Sequence, residues 1–195
     1  MTSPEFFEKI ESIKLIDELS ELLGTFADGL VEFSYEDVAK LSGHSCPTVA
    51  GAYLMAREGL KVLCGEELPL RGEIEVQFRD DYQNGTTGVV ANVLSYITGA
   101  TDGYGFKGIG GKYARHSLLS FSQDIASEIC LKTKGNTVCV SYDPSSIPPS
   151  GDMGVYMQKC LQGIATDDER KTFHNMWQQR VQNILLNYKE VLTIR

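Results

Sequence analysis

Apolar and polar residues alternate along this chain with periods that change from one segment to the next. Phe6, Ile10, Ile13, Ile16, Leu19 and Leu23 recur at helical spacing behind Ser3-Pro4, and Gly24 ends the run, so the spacing predicts an N-terminal helix. Leu30–Phe33 reads as a short extended piece. Ser34 is placed to cap a helix running to Leu41, with Asp37 at its third position and Gly43 as its stop. Pro47 suits the first position of the next helix, where its missing N–H costs nothing, and this makes Cys46 the N-cap. Val49, Tyr53, Ala56, Leu60 and Leu63 fall on one face of that helix, and Gly65 terminates it.

Further on, Ile74, Val76 and Phe78 alternate with Glu75, Gln77 and Arg79, the pattern of a half-buried strand. Residues 87–97 read as a buried helix. Residues 99–111 then hold six glycines, a density no regular element tolerates, so they form a loop. Residues 117–122 read as a strand, and 129–133 and 137–142 as a hairpin about Lys134-Gly135-Asn136. The Pro, Ser and Gly of 143–152 make a linker. Two helices follow it within 153–192; Thr166 and Glu169 have capping-box spacing, and Phe173, Trp177, Val181, Ile184 and Tyr188 form an apolar stripe. The organisation expected is a single domain over 1–195, with the helical segment after the linker as its C-terminal part.

Composition narrows the function classes. With 195 residues, 42% of them hydrophobic and 23% charged, the chain has the make-up of a globular domain. The net charge of −8 argues against nucleic acid as a partner. No stretch approaches the roughly 20 apolar residues of a membrane span, and Met1-Thr2-Ser3-Pro4-Glu5 does not look like a signal peptide, so a cytoplasmic protein is expected. The five cysteines, at 46, 64, 130, 139 and 160, are odd in number and widely spaced, which fits reduced thiols, with all but Cys46 expected as small core residues.

The candidate chemistry sits in Gly43-His44-Ser45-Cys46-Pro47. An imidazole and a thiol two residues apart suit zinc, nickel or iron, although two ligands do not complete a site. A thiol at a helix start is also favoured to ionise, so Cys46 is a candidate nucleophile with His44 or His116 as its base. His116 follows the glycine loop beside Lys112 and Arg115 and is the candidate third metal ligand. Gly103, Gly105 and Gly108 match the spacing of a dinucleotide fingerprint, but a helix precedes them and more glycines follow, so they are read instead as a ligand-lining loop that carries Lys107, a candidate catalytic residue on the substrate side.

The stretch Asp37–Pro47, with Gly51 and Tyr53 in the helix behind it, resembles the opening motif of the FmdE family of formylmethanofuran dehydrogenase components, His-Gly-His-x-Cys-Pro-Gly. Asn92–Gly99 is similar to that family's helix ending in Thr-Gly, and Phe106-Lys107-Gly108 to its glycine-and-lysine loop. The resemblance spans about residues 34–190, and its specific part is Gly-His-x-Cys-Pro. It implies an α+β fold, a mixed or antiparallel sheet packed with helices, that pairs into an intertwined homodimer. It implies a transition metal near His44 and Cys46, zinc or nickel by donor type; a small-molecule ligand is expected at the glycine loop. The chain lacks the cysteine pairs of members with a C-terminal zinc finger. It also departs from the motif: Ser42 stands for the first histidine, Thr48 for the glycine after Cys-Pro, Asn92 and Ser95 for an Asp and a Gln, and Ala100 for a Cys. Three readings of function remain open: a metal-dependent enzyme or accessory component of this type, a non-catalytic metal- or ligand-sensing module, and a metal-free enzyme that uses Cys46.

Overall fold

The computed structural model describes residues 3–195. A short 3-10 turn, Glu5–Lys9, leads into β1 (Ile13–Ile16), α1 (Glu18–Leu22), β2 (Leu30–Phe33), α2 (Tyr35–Ser42) and α3 (Pro47–Cys64). Then come β3 (Glu75–Phe78), α4 (Thr87–Thr98), β4 (Leu119–Ser120), β5 (Ile129–Thr133) and β6 (Asn136–Tyr142). The chain ends with α5 (Met153–Leu161), α6 (Asp167–Leu186), α7 (Tyr188–Val191) and β7 (Leu192–Ile194). β1 and β2 form an antiparallel pair, and the larger sheet runs β4-β3-β5-β6-β7, with β3 and β4 parallel and the other neighbours antiparallel. This is the expected α+β class with a mixed sheet. No helix is long and apolar enough to cross a membrane among the described residues.

α3 is the axis of the core. Thirteen of its residues are buried, because it packs on β5 and β6 and against α4 and α6. Two glycines let the sheet approach this closely. A Cβ on Gly51 would lie 2.4 Å from the Tyr142 ring, and one on Gly59 would lie 2.7 Å from Leu131 Cδ1. α6 contributes Val181, Ile184 and Leu185 to the same core, so the segment after the linker belongs to the domain. Tyr53 ties the N-terminus to the helix: its hydroxyl reaches the carbonyls of Glu11 at 2.7 Å and Phe33 at 3.2 Å.

The helix starts follow their local signals. Ser34 and Asp37 form a capping box on α2, Thr166 and Glu169 form one on α6, and Cys46 caps α3 ahead of Pro47. The N-terminal run differs from expectation. The single helix over Phe6–Leu23 is instead a 3-10 turn, a strand and a short helix. Ile13 and Leu15 both point into the core while Lys14 faces out, a strand alternation fixed by pairing with β2, and Asp17 starts a new helix by accepting from the N–H groups of Leu19 and Ser20. The strand expected over 117–122 shrinks to Leu119–Ser120, and β7, which extends the sheet beside β6, was not anticipated.

The cysteines also need a correction. Cys130 and Cys139 are joined by a disulfide, so they are not reduced thiols. They are directly opposed in the β5–β6 register, with Cα atoms 4.0 Å apart, and facing positions on a hairpin bring two sulfurs together across a short turn. Cys46, Cys64 and Cys160 are free and half-buried.

Candidate functional site

The turn from α2 to α3 carries the candidate chemistry, and its backbone is fixed from three sides. Gly43 ends α2 in the left-handed conformation at φ +72°. The next residues are clamped by long-range hydrogen bonds. Trp177 Nε1 of α6 donates to the Ser45 carbonyl at 2.9 Å, with Gln178 Nε2 beside it at 3.4 Å. The hydroxyls of Tyr35 and Ser45 meet at 2.9 Å, and the Tyr142 hydroxyl donates to the Pro47 carbonyl at 2.7 Å. Burial pushes both tyrosine hydroxyls well above the ordinary tyrosine range, so they stay protonated across the range in which the fold works.

His44 leaves this turn exposed. Its Nδ1 lies 2.8 Å from the Ser42 carbonyl, an atom that can only accept, so Nδ1 carries the hydrogen. In the neutral ring this leaves Nε2 bare. Metal-binding histidines characteristically fix their second nitrogen on a carbonyl or carboxylate in this way. His44 lines a cleft of about 410 Å³ between the turn and α4, with Leu41, Ser42, Val89, Asn92, Ser95 and Tyr96 as its other walls. Ser42, His44, Asn92 and Ser95 thus share one space, although α4 is separated from the turn by more than forty residues. These are four of the positions that the resemblance singles out. Thr48 and Ala100 do not line the cleft, and Ala100 is fully buried. No carboxylate, lysine or arginine lines it, so its chemistry is that of neutral hydrogen-bonding groups around one imidazole.

Cys46 is turned toward the protein. Its sulfur accepts from Val49 N–H at 3.5 Å at the start of α3, and the residue packs against the core without lining the His44 cleft. No histidine hydrogen-bonds to it among the described residues. The donors fit zinc or nickel by type, a borderline imidazole and a thiol. They fit in number only as an open centre: no group of three His, Cys, Asp or Glu side chains is arranged to hold an ion among the described residues.

The remaining sequence candidates lie elsewhere. His116 is half-buried after the glycine loop and meets Ser117 Oγ at 3.1 Å; it does not line the His44 cleft. Lys107 is exposed on that loop and also stays outside the cleft. The glycines of the loop serve its own close packing. A Cβ on Gly105 would lie 2.1 Å from Thr101 Oγ1, and one on Gly108 would lie 2.3 Å from the Lys112 carbonyl, where the chain doubles back through paired Ile109 and Lys112. Gly103 is exposed and crowds nothing.

One cluster was not legible from spacing. Asp17 accepts from Arg71 Nη1 at 2.9 Å and from Arg115 Nη2 at 2.7 Å, uniting residues from three distant parts of the chain. Burial works to raise the Asp17 pKa, but the Arg71 and Ser20 hydrogen bonds and the two guanidinium charges outweigh it and hold the carboxyl below the usual range. Burial in turn lowers the pKa of Arg115, with the neighbouring Arg71 charge adding to the effect against the support of Asp17.

No family model matches the chain, and no curated protein matches it.

Proposed function

We propose that the protein is a divergent relative of the FmdE family that binds a transition metal ion, zinc or nickel, together with a small polar ligand at the His44 cleft. One observation carries this reading: His44, its Nδ1–H engaged by the Ser42 carbonyl, stands in a cleft whose other polar walls are Ser42, Asn92 and Ser95, the positions matched to the family's motif residues. His44 would hold the ion from the cleft, Cys46 would join it only by turning its sulfur away from the Val49 N–H, and the remaining coordination positions are left to the ligand. Bound there, such an ion would supply Lewis-acid polarisation of the ligand. The homodimer belongs to the same reading, and a monomer mass by light scattering would remove it.

Calorimetric titration with zinc and with nickel tests the site on the wild type and on His44→Ala and Cys46→Ala. The expected result is one ion per chain in the wild type, and a loss of about tenfold or more in affinity, roughly 1.4 kcal/mol, in His44→Ala. Cys46→Ala weakens binding as well. A wild type that binds neither ion, or variants that bind as the wild type does, would refute the metal reading.

A further inference from the structure

The disulfide between Cys130 and Cys139 lies apart from the His44 cleft. Leu131 and Val140, their neighbours along β5 and β6, face α3 and lie against Gly59. Successive side chains of a strand point to opposite faces, so both cysteines stand on the other face of the sheet. That face is polar. Gln77 of β3, Lys132 of β5, Thr137 and Ser141 of β6 and Thr193 of β7 share it, and each is exposed or half-buried.

The two sulfur-bearing residues differ in access. Cys130 is on a central strand between β3 and β6 and is only 1% exposed. Cys139 is half-buried, next to the edge strand β7.

The hairpin does not depend on the bridge for its ladder. Both backbone groups of Cys139 are engaged with the end of the chain: its N–H donates to the Arg195 carbonyl, and its carbonyl accepts from the Arg195 N–H, each at 2.9 Å. Opposite Cys130 it therefore forms a non-hydrogen-bonded pair, the position at which facing side chains come closest. The sulfurs meet there without displacing a ladder bond, and the ladder remains when they part. β5 is also held by β3, and β6 by β7, while Leu131 and Val140 stay under α3 in either state.

We propose that Cys130 and Cys139 are a reversible dithiol–disulfide pair of the native fold, opened by small thiols at Cys139. A thiolate attacks Cys139 Sγ and forms a mixed disulfide with it. The Cys130–Cys139 bond breaks, and its electron pair leaves on Cys130 Sγ, which takes a proton from water. A second thiolate attacks the sulfur of the attached small thiol, releases Cys139 as a thiolate that is protonated in turn, and departs with the first as their disulfide. Two small thiols are oxidised, and the protein disulfide takes up two electrons. Cys139 is thus also the residue that carries the mixed disulfide.

The full chain is treated with dithiothreitol in the presence of a chelator, quenched by alkylation, and read by peptide mass spectrometry, which separates Cys130 and Cys139 from Cys46, Cys64 and Cys160. The expected result is release of both thiols at a rate that changes less than threefold on adding 1 M urea. The reduced protein should melt cooperatively, about 5–10 °C below the oxidised form. A bond that opens only through unfolding would be reduced about thirtyfold faster in 1 M urea. Acceleration beyond threefold, or loss of the cooperative melt on reduction, would overturn the proposal. Cys130→Ala and Cys139→Ala then identify the entry sulfur. With glutathione disulfide, Cys139 in the first variant should gain its adduct at least fivefold faster than Cys130 in the second. A smaller ratio, or the reverse order, overturns the assignment of Cys139.

Discussion

Replacing Asp17 with alanine tests how the N-terminal third of the chain is locked to the rest. The side chain has two separable tasks. One oxygen accepts from the N–H groups of Leu19 and Ser20 and starts α1. The carboxylate also neutralises Arg71 and Arg115, which come from opposite ends of the segment holding β3 and α4. Loss of a cap costs about 1 kcal/mol. Leaving a buried charge without its partner costs about 3–5 kcal/mol. The two tasks share one group and are not additive, so Asp17→Ala should lose about 4 kcal/mol. That is a large part of the roughly 5–15 kcal/mol that holds a domain together. In urea, with a slope of about 2 kcal/mol per M, the midpoint should fall by about 2 M. Asp17→Asn keeps an acceptor for the cap and loses the charge, so it should fall between the two. The pH dependence follows from the lowered pKa. The stabilisation by Asp17 is complete above the unfolded carboxyl value of about 3.9 and is lost as the pH falls through the lower folded value. The gap between wild type and Asp17→Asn should therefore persist at pH 4 and close only in stronger acid. An Asp17→Ala midpoint within about 0.5 M of wild type would refute the account, since that is only about 1 kcal/mol.

Other consequences can be measured on the same protein. Gly51→Ala places a methyl against the Tyr142 ring, whose hydroxyl is held on Pro47 and restrains its retreat, so overpacking of about 2 kcal/mol and a melting temperature about 6 °C lower are expected by calorimetry; an unchanged melt would mean that the ring gives way freely. Burial raises the pKa of Glu128 against the opposing Tyr142 N–H and Arg79 charge, so its ionised form destabilises the fold at neutral pH and the penalty is relieved as the pH falls through the raised value. Glu128→Gln should accordingly be more stable than wild type at pH 7, with the advantage shrinking in acid; a variant less stable at pH 7 contradicts this. Trp177→Phe removes the donor on Ser45, and a loss of about 1 kcal/mol in urea unfolding is expected, with Gln178 left as the weaker partner. Wild-type stability in that variant would show that the α2–α3 turn does not depend on α6.

Elements with local punctuation were legible in the sequence. The starts of α2, α3 and α6 follow from a side chain and its neighbours within three residues, so Ser34 with Asp37, Cys46 with Pro47, and Thr166 with Glu169 announce themselves. The N-terminal run was not legible. Phe6, Ile10 and Ile13 are all buried, as a helix would bury them, yet β1 is decided by its pairing with Phe33 and Val31 of β2, which no spacing within the run reveals. β7 is a three-residue strand whose identity comes from β6. The disulfide has the same origin: Cys130 and Cys139 become partners only once the hairpin register opposes them. At the site, His44 stood out through its motif, but the facing wall of Asn92 and Ser95 is set by how α4 packs on α2 and α3. Arg115 passed as a neighbour of His116, since nothing around it along the chain signals a buried position against Asp17.

α4 presents different chemistry to its two sides, and Tyr96 lines a cleft on each. On one side Asn92 and Ser95 offer neutral donors and acceptors beside His44, so discrimination there must come from hydrogen bonds made one at a time and, on the proposed reading, from an ion brought to His44. On the other side the C-terminal carbonyls of Tyr96 and Ile97 hold Arg71, whose remaining partner is Asp17. Substitutions at Asn92 or Ser95 should therefore alter which groups are recognised at the His44 cleft while leaving the Arg71–Asp17–Arg115 cluster across Tyr96 intact. An Asn92→Asp change provides the sharpest separation: it adds a carboxylate donor beside His44 and should strengthen zinc binding in calorimetric titration, yet it should leave the loss of urea midpoint caused by Asp17→Asn unchanged within about 0.25 M, roughly 0.5 kcal/mol.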